Sequence, residues 1–214
     1  MYLSRLILNP RSRQVQRELA RPYEMHRTIL RAYPEKLAEQ AERVLFRVDA
    51  QPRTGALQLL VQSHLCPDWG WLAETSGYLD PHANGENPAL KEFDLHLRAG
   101  QLLAFRLRAN PTQKLSRSLA RGLEKGKRVG LYKPEEQLAW LARKGETHGF
   151  RLVSATAQQQ ERLDDAIHRL KLLSVLFEGV LQVTDGARLA EAVASGIGSG
   201  KAFGFGLLSL APMR

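Results

Sequence analysis

Alternating polar and apolar positions from Tyr2 to Leu8 (YLSRLIL) predict a strand that stops at Asn9-Pro10. A helical stretch follows. Pro22 then stands where the first turn of a helix tolerates proline, and no breaker interrupts the chain from Tyr23 to Ala32 before Pro34. Val44 to Val48 and Ala56 to Val61 read as two strands around a turn that holds Pro52 and Gly55. The stretch 75–91, with its run GYLDPHANGENP, reads as a loop. Phe93 to Leu97 and Leu102 to Arg108 read as alternating strands joined at Ala99-Gly100.

A similar order returns downstream. Pro134 opens a helix to about Lys144, with Leu138, Trp140 and Leu141 on its apolar side. Phe150 to Ala155 and Leu172 to Val183 read as strands, the second with a bulge at Gly179. Ala187 to Ala194 reads as a helix and Phe203 to Leu210 as a closing strand. Strand-helix-strand-strand-helix-strand, met twice, predicts an α+β chain of two tandem ferredoxin-like (RRM-like) domains over 1–98 and 101–214. No self-similarity between the halves adds to this, so it rests on element order.

The composition, 43% hydrophobic and 25% charged over 214 residues, excludes wholesale disorder and suffices for a buried core. One cysteine, Cys66, can make neither an internal disulfide nor a cysteine-based zinc site, which fits a reducing compartment. No run approaches the roughly 18 apolar residues of a membrane span, and MYLSRLILNP lacks a signal peptide's apolar stretch. A cytoplasmic protein with no membrane partner is expected.

Charge changes the picture more. The net +9 is concentrated: residues 1–31 carry seven arginines against Glu18 and Glu24, and residues 98–133 carry ten basic groups against Glu124 alone. The 32–97 segment is acidic and the remainder is balanced. Two basic zones on such a background suit a polyanion, with nucleic acid the first candidate. Lys114, Arg117, Arg121 and Lys125 step by three, four and four and would share a helix face beside Leu115, Leu119 and Leu123. That face could track phosphates. Gly122 and Gly126 weaken such a helix and leave a solvated loop as the alternative.

Two segments could carry chemistry. The run GIGSGKAFGFGLLSL holds Gly196, Gly198, Gly200, Lys201, Gly204 and Gly206. It is no Walker A loop, because Ser195 stands where the first glycine belongs and Ala202 follows the lysine. It offers positive-φ backbone, N–H groups and Lys201 to a phosphate, or else forms a tight turn. In RPYEMHRTILR, Tyr23, His26 and Arg27 fall at i, i+3 and i+4, and Arg31 continues the face one turn on. Phenol, imidazole and guanidinium are groups that phosphodiester transesterification can use without a metal. A surface histidine on a basic helix is the alternative. The six histidines show no HxxxH or HxH pair, so no metal is expected. Trp69 and Trp71 read as core residues rather than a base-stacking platform.

The strand ending in LILNP, together with RPYEMHRTI, FRLRANPT, SVLFEGVLQV and GSGKAFGFGLLSLAP, resembles the CasE family from Tyr2 to Pro212. These are the CRISPR RNA endoribonucleases of type I-E Cascade. The resemblance implies two ferredoxin-like domains and cofactor-free, metal-independent cleavage of repeat RNA at the base of a stem-loop. It also implies retention of the hairpin within Cascade, with other Cascade subunits as partners and a monomer when isolated. It matches His26 to the catalytic histidine and Tyr23 to its helper, and it sets Arg27 and Arg31 near the scissile phosphate. Gly198, Gly200, Lys201 and Gly204 fall in the family's glycine-rich motif, and 156–171 in the place of a variable hairpin. Attack by a ribose 2′-OH would give 2′,3′-cyclic phosphate and 5′-OH ends, while Lys114, Arg117 and Arg121 would grip the stem. A non-catalytic RNA-binding subunit of the same fold is the rival, and a DNA-binding architectural protein a third reading.

Overall fold

A computed structural model of the chain describes residues 1–35, 43–51, 53–75, 77–114, 128–165 and 170–213. The protein is mixed α+β and divides into two compact units, each built on a four-stranded antiparallel sheet.

The first unit comprises Met1–Leu95 together with Ala194–Gly196 and Lys201–Leu207. Its elements are β1 (Tyr2–Leu8), α1 (Arg13–Ala20), α2 (Pro22–Leu30), β2 (Leu45–Ala50), β3 (Leu57–Ser63), the single turn α3 (Trp71–Glu74) and β4 (Ala89–Glu92). The strands lie in the order β2-β3-β1-β4, with Tyr2 opposite Ser63 and Leu8 opposite Leu57. Alternation along β1 buries Leu6 and Leu8 and leaves Arg5 exposed. Onto that apolar face pack Val15 of α1 and Met25 and Ile29 of α2, the last two four residues apart on one helical stripe. The Ser12 hydroxyl caps α1 by accepting from the Val15 N–H at 3.5 Å. Pro22 starts α2, where its missing N–H costs no helical bond.

The second unit comprises His96–Val193, Ile197–Gly200 and Leu208–Arg214. It contains β5 (Leu102–Ala109), the ribbon β6 (Thr112–Lys114) and β7 (Arg128–Gly130), α4 (Pro134–His148), β8 (Phe150–Asp165), β9 (Leu170–Val183), α5 (Gly186–Ser195) and β10 (Leu208–Pro212). Its sheet runs β10-β5-β9-β8. Within each sheet the fourth strand in chain order lies beside the first, followed by the third and the second. Gly149 ends α4 in the left-handed region at φ 77°, its N–H donating to the Gly145 carbonyl.

Several sequence expectations are corrected. Phe93–Leu97 is not a strand: the pairing falls at Ala89–Glu92, inside the stretch read as a loop. Glu92 already faces Tyr2 and the Phe93 N–H bonds the Met1 carbonyl, so β1 has nothing further to pair with. Phe203–Leu210 is not one strand either. Lys201–Phe203 is a 3-10 turn, positive φ at Gly204 and Gly206 interrupts the extended chain, and β10 begins only at Leu208. Gly179 is not the bulge. It sits in register opposite Ala155, and the extra residues lie on β8, between Leu152 and Ser154 and between Gln159 and Glu161. There the Ser154 carbonyl oxygen fills the space a Gly179 side chain would need. β8 and β9 also extend past the expected ends, pairing as far as Asp165 with Leu170. No described helix is long and apolar enough to cross a membrane.

Candidate functional site

α2 presents two faces. Met25 and Ile29 are buried, while Tyr23, His26, Arg27 and Arg31 lie elsewhere around the helix, the two rings half-buried and the two arginines exposed. The Tyr23 and His26 rings are 6.1 Å apart between centroids. His26 stacks on Phe46 of β2 at 6.0 Å and 14°, and Tyr23 lies 5.7 Å from Phe203 of the 3-10 turn. Tyr23 and His26 thus share an aromatic floor that spacing along α2 could not reveal, while Arg27 lies exposed beside them in sequence.

The imidazole is in an unusual setting. Its Nδ1 is buried and has no hydrogen-bond partner among the described residues. Burial holds the His26 pKa below the ordinary 6.5, because a charged ring would lose hydration without gaining a partner. The neutral ring, the form able to take a proton, is thus the resting form at neutral pH.

The glycine-rich run supports this floor. The Gly204 N–H closes the 3-10 turn onto the Lys201 carbonyl at 3.1 Å. Gly204 is buried at φ +81°, and a Cβ there would come within 3.1 Å of the Phe46 ring. Its N–H is thus engaged within the turn, and the glycine packs closely under the ring on which His26 stacks. Lys201 is half-buried, with its Cε beside Gly196. Gly198 and Gly200 belong to the second unit, where Gly198 lies against the Trp140 ring.

Lys114 is exposed at the end of β6, opposite Arg128 in the two-stranded ribbon, and so is a strand residue where a helical position was expected. Arg117 and Arg121 lie outside the described residues. Arg31 extends over Trp71, its guanidinium carbon 4.0 Å from the ring centre. Trp69 behaves as read, packing on the core and donating its indole N–H to the Ser4 hydroxyl at 2.9 Å.

Sequence reasoning missed two buried ionic groups in the first unit. Glu18 is 1% exposed, its carboxylate accepting from Gln14, Thr28 and Tyr78. Its place three residues after Val15, on the buried stripe of α1, was the available signal. Arg47, 2% exposed, pairs with Asp49 at 2.9 Å and donates to the Leu207 carbonyl at 3.1 Å. It ties the segment behind the glycines to β2, and its cation inside the apolar run LFRVDA hinted at a buried partner. Among the described residues no group of three or more His, Cys, Asp or Glu side chains could hold a metal ion.

The chain is similar to known proteins along its whole length. The family model for CRISPR associated protein matches residues 1–212. CRISPR-associated endoribonuclease Cse3 of Thermus thermophilus is 40% identical, over 99% of this chain and 100% of that one. CRISPR system Cascade subunit CasE of Escherichia coli is 32% identical over all of both chains. The structure of Thermus thermophilus Cse3 bound to an RNA representing a pre-cleavage complex superposes with a TM-score of 0.85, at 40% identity, over 99% of this chain and 98% of that one. The chain belongs to the CRISPR-associated protein family that includes Cse3 and CasE.

Proposed function

We propose that this protein is the endoribonuclease that cuts CRISPR precursor RNA at the base of the repeat stem-loop and stays on the hairpin as a Cascade subunit. The observation that carries the reading is the half-buried Tyr23–His26 pair on α2, with His26 stacked on Phe46, Tyr23 tilted against Phe203, Arg27 on the same helix and Arg31 just past its end. Its full-length relatives are an endoribonuclease and a Cascade subunit. The like order of the two sheets supports two tandem ferredoxin-like domains, assigned to 1–98 and 101–214 with Ala194–Gly196 and Lys201–Leu207 counted in the first compact unit.

The chemistry follows from the groups present. Neutral His26 takes the proton of the 2′-OH beside the scissile phosphate; the 2′ oxygen bonds to phosphorus as the bond to the 5′ oxygen breaks. The departing oxygen takes a proton, leaving 2′,3′-cyclic phosphate and 5′-OH ends. Tyr23 orients the phosphate or the leaving oxygen, and Arg27 and Arg31 balance the charge that gathers on phosphorus. No metal is required by this route. Lys114, Arg117, Arg121 and the loop around Gly198, Gly200 and Lys201 contribute backbone contacts to the RNA, with base edges of the A-form stem out of reach in its deep groove.

The test is a repeat RNA carrying 2′-deoxyribose at the one nucleotide before the cut, incubated in EDTA beside the unmodified RNA. Cleavage of the unmodified RNA alone, with both RNAs bound equally, is expected. Cleavage of the deoxy substrate, or a requirement for added magnesium, would contradict the mechanism.

A further inference from the structure

Arg31 stands just past the end of α2, where an arginine on open surface would sample many rotamers. Instead its guanidinium carbon lies 4.0 Å from the centre of the Trp71 ring. A planar cation laid on an aromatic face keeps its edge of N–H donors free. Among the described residues no carboxylate pairs with that edge.

Trp71 is itself held from behind. Its ring packs on Tyr78 at 6.5 Å, and the buried Tyr78 hydroxyl donates to Glu18 at 2.7 Å. The other Glu18 oxygen accepts from Thr28 of α2 at 2.7 Å. The chain of contacts thus starts at Arg31, just past α2, and returns to the helix at Thr28, three residues earlier. Burial and the Glu18 carboxylate both push the Tyr78 pKa upward, so this hydroxyl remains a donor wherever the protein works.

One feature separates this arrangement from ordinary packing. The Trp71 indole N–H is buried and has no hydrogen-bond partner among the described residues. Orphaned buried N–H groups are rare, and phenylalanine would fill an apolar site without creating one. The ring packs part-buried against the core, and the Arg31 guanidinium lies over it.

We propose that Trp71, braced by Tyr78 and Glu18, is a positioning residue that lays the Arg31 guanidinium flat and aims its N–H edge at an RNA phosphate. This rests on the RNA-cleavage reading above and assigns Trp71 no contact with the substrate.

The experiment measures single-turnover cleavage of the repeat hairpin, and its Kd, for Arg31→Ala, Trp71→Leu, Trp71→Phe and the Arg31→Ala/Trp71→Leu pair, with thermal melts as a check on folding. Arg31→Ala and Trp71→Leu should each slow cleavage by roughly 3- to 30-fold, the range of a partly desolvated cation–π contact. The double variant should be no slower than Arg31→Ala, and Trp71→Phe should stay within about 3-fold of the parent, since it keeps an aromatic face. Multiplying effects in the double variant would show that Trp71 acts independently, as a base-stacking platform or a fold element, and would overturn the proposal. So would a parental rate for Trp71→Leu beside a slowed Arg31→Ala. Full activity of Arg31→Ala would remove the phosphate contact itself and the proposal with it, while the His26 chemistry would stand or fall separately on the deoxy substrate.

Discussion

Each unit stacks one ring of a helix on a phenylalanine of its sheet, with nearly the same geometry. In the first, His26 of α2 lies on Phe46 at 6.0 Å and 14°; in the second, Trp140 of α4 lies on Phe177 at 6.0 Å and 20°. The helices also share a place in their units, between the first and second strands of the sheet. Their polar groups fare differently. α4 buries Gln137 with its amide donating to the Leu131 carbonyl at 2.9 Å, whereas α2 leaves the His26 Nδ1 without a partner among the described residues. A buried polar atom without a partner costs stability, commonly about 1–3 kcal/mol. The lesson is that one packing device serves two ends. Where the ring is indole it builds a core; where it is imidazole it holds the ring in its neutral form beside the Tyr23 phenol.

The sharpest way to break this comparison is to shrink both floors. Phe46→Leu and Phe177→Leu should each destabilise the protein by about 1–3 kcal/mol, as large-to-small core changes do. Only Phe46→Leu should also slow cleavage at saturating protein, by about tenfold or more. Equal rates in the two variants, measured under conditions where both are folded, would mean that the Phe46 stack is core and nothing else.

A smaller effect is expected from the glycines. Gly204 and Gly55 both have positive φ, but a Cβ at Gly204 meets the Phe46 ring and one at Gly55 meets nothing within 4 Å. Gly55→Ala should cost the backbone strain alone, about 1–2 kcal/mol, and leave cleavage intact. Gly204→Ala should cost more and slow cleavage, because the ring beneath His26 must shift. Matching melting temperatures for the two variants would contradict the packing role.

The smallest effect is on stability against pH. His26 binds its proton more weakly in the folded chain than in the unfolded one, so the unfolded state takes up more protons as pH falls below 6.5. Its contribution to stability is complete above that value and is lost as pH drops through the lowered folded pKa. Replacing His26 with glutamine should flatten the acid limb of a melting-temperature profile between pH 7 and 5. An unchanged limb would show that the ring is not desolvated.

Much of this was legible in the sequence. Apolar runs located β1, β2 and β3 to within a residue or two; β1 alternates between buried and less buried positions, whereas β2 is buried on both faces from Leu45 to Arg47. The spacing of Tyr23 and His26 brought the two rings together because α2 is a regular helix from Pro22 onward. What stayed hidden depends on neighbours distant in sequence. FDLHL alternates like a strand, but β1 starts at Tyr2 and leaves it no partner. Gly179 looks like a bulge, yet the extra residues lie on β8, and the glycine answers a carbonyl pressed toward it from Ser154. Glycine periodicity marked the terminal run without showing that Gly204 packs on Phe46. Neither Trp71 nor Glu18 carries any local mark of its partner, because Arg31–Trp71 and Glu18–Tyr78 join residues 40 and 60 positions apart.

The central claim is that α2 does chemistry and does not merely bind. Its most direct test is to incubate the protein and a His26→Ala variant with the repeat RNA in EDTA, reading cleavage and hairpin binding from the same samples. The account predicts that the variant binds like the parent and cleaves about 10²- to 10⁴-fold more slowly, the usual worth of a positioned general base or acid. Equal cleavage by both proteins would place the chemistry elsewhere and contradict it.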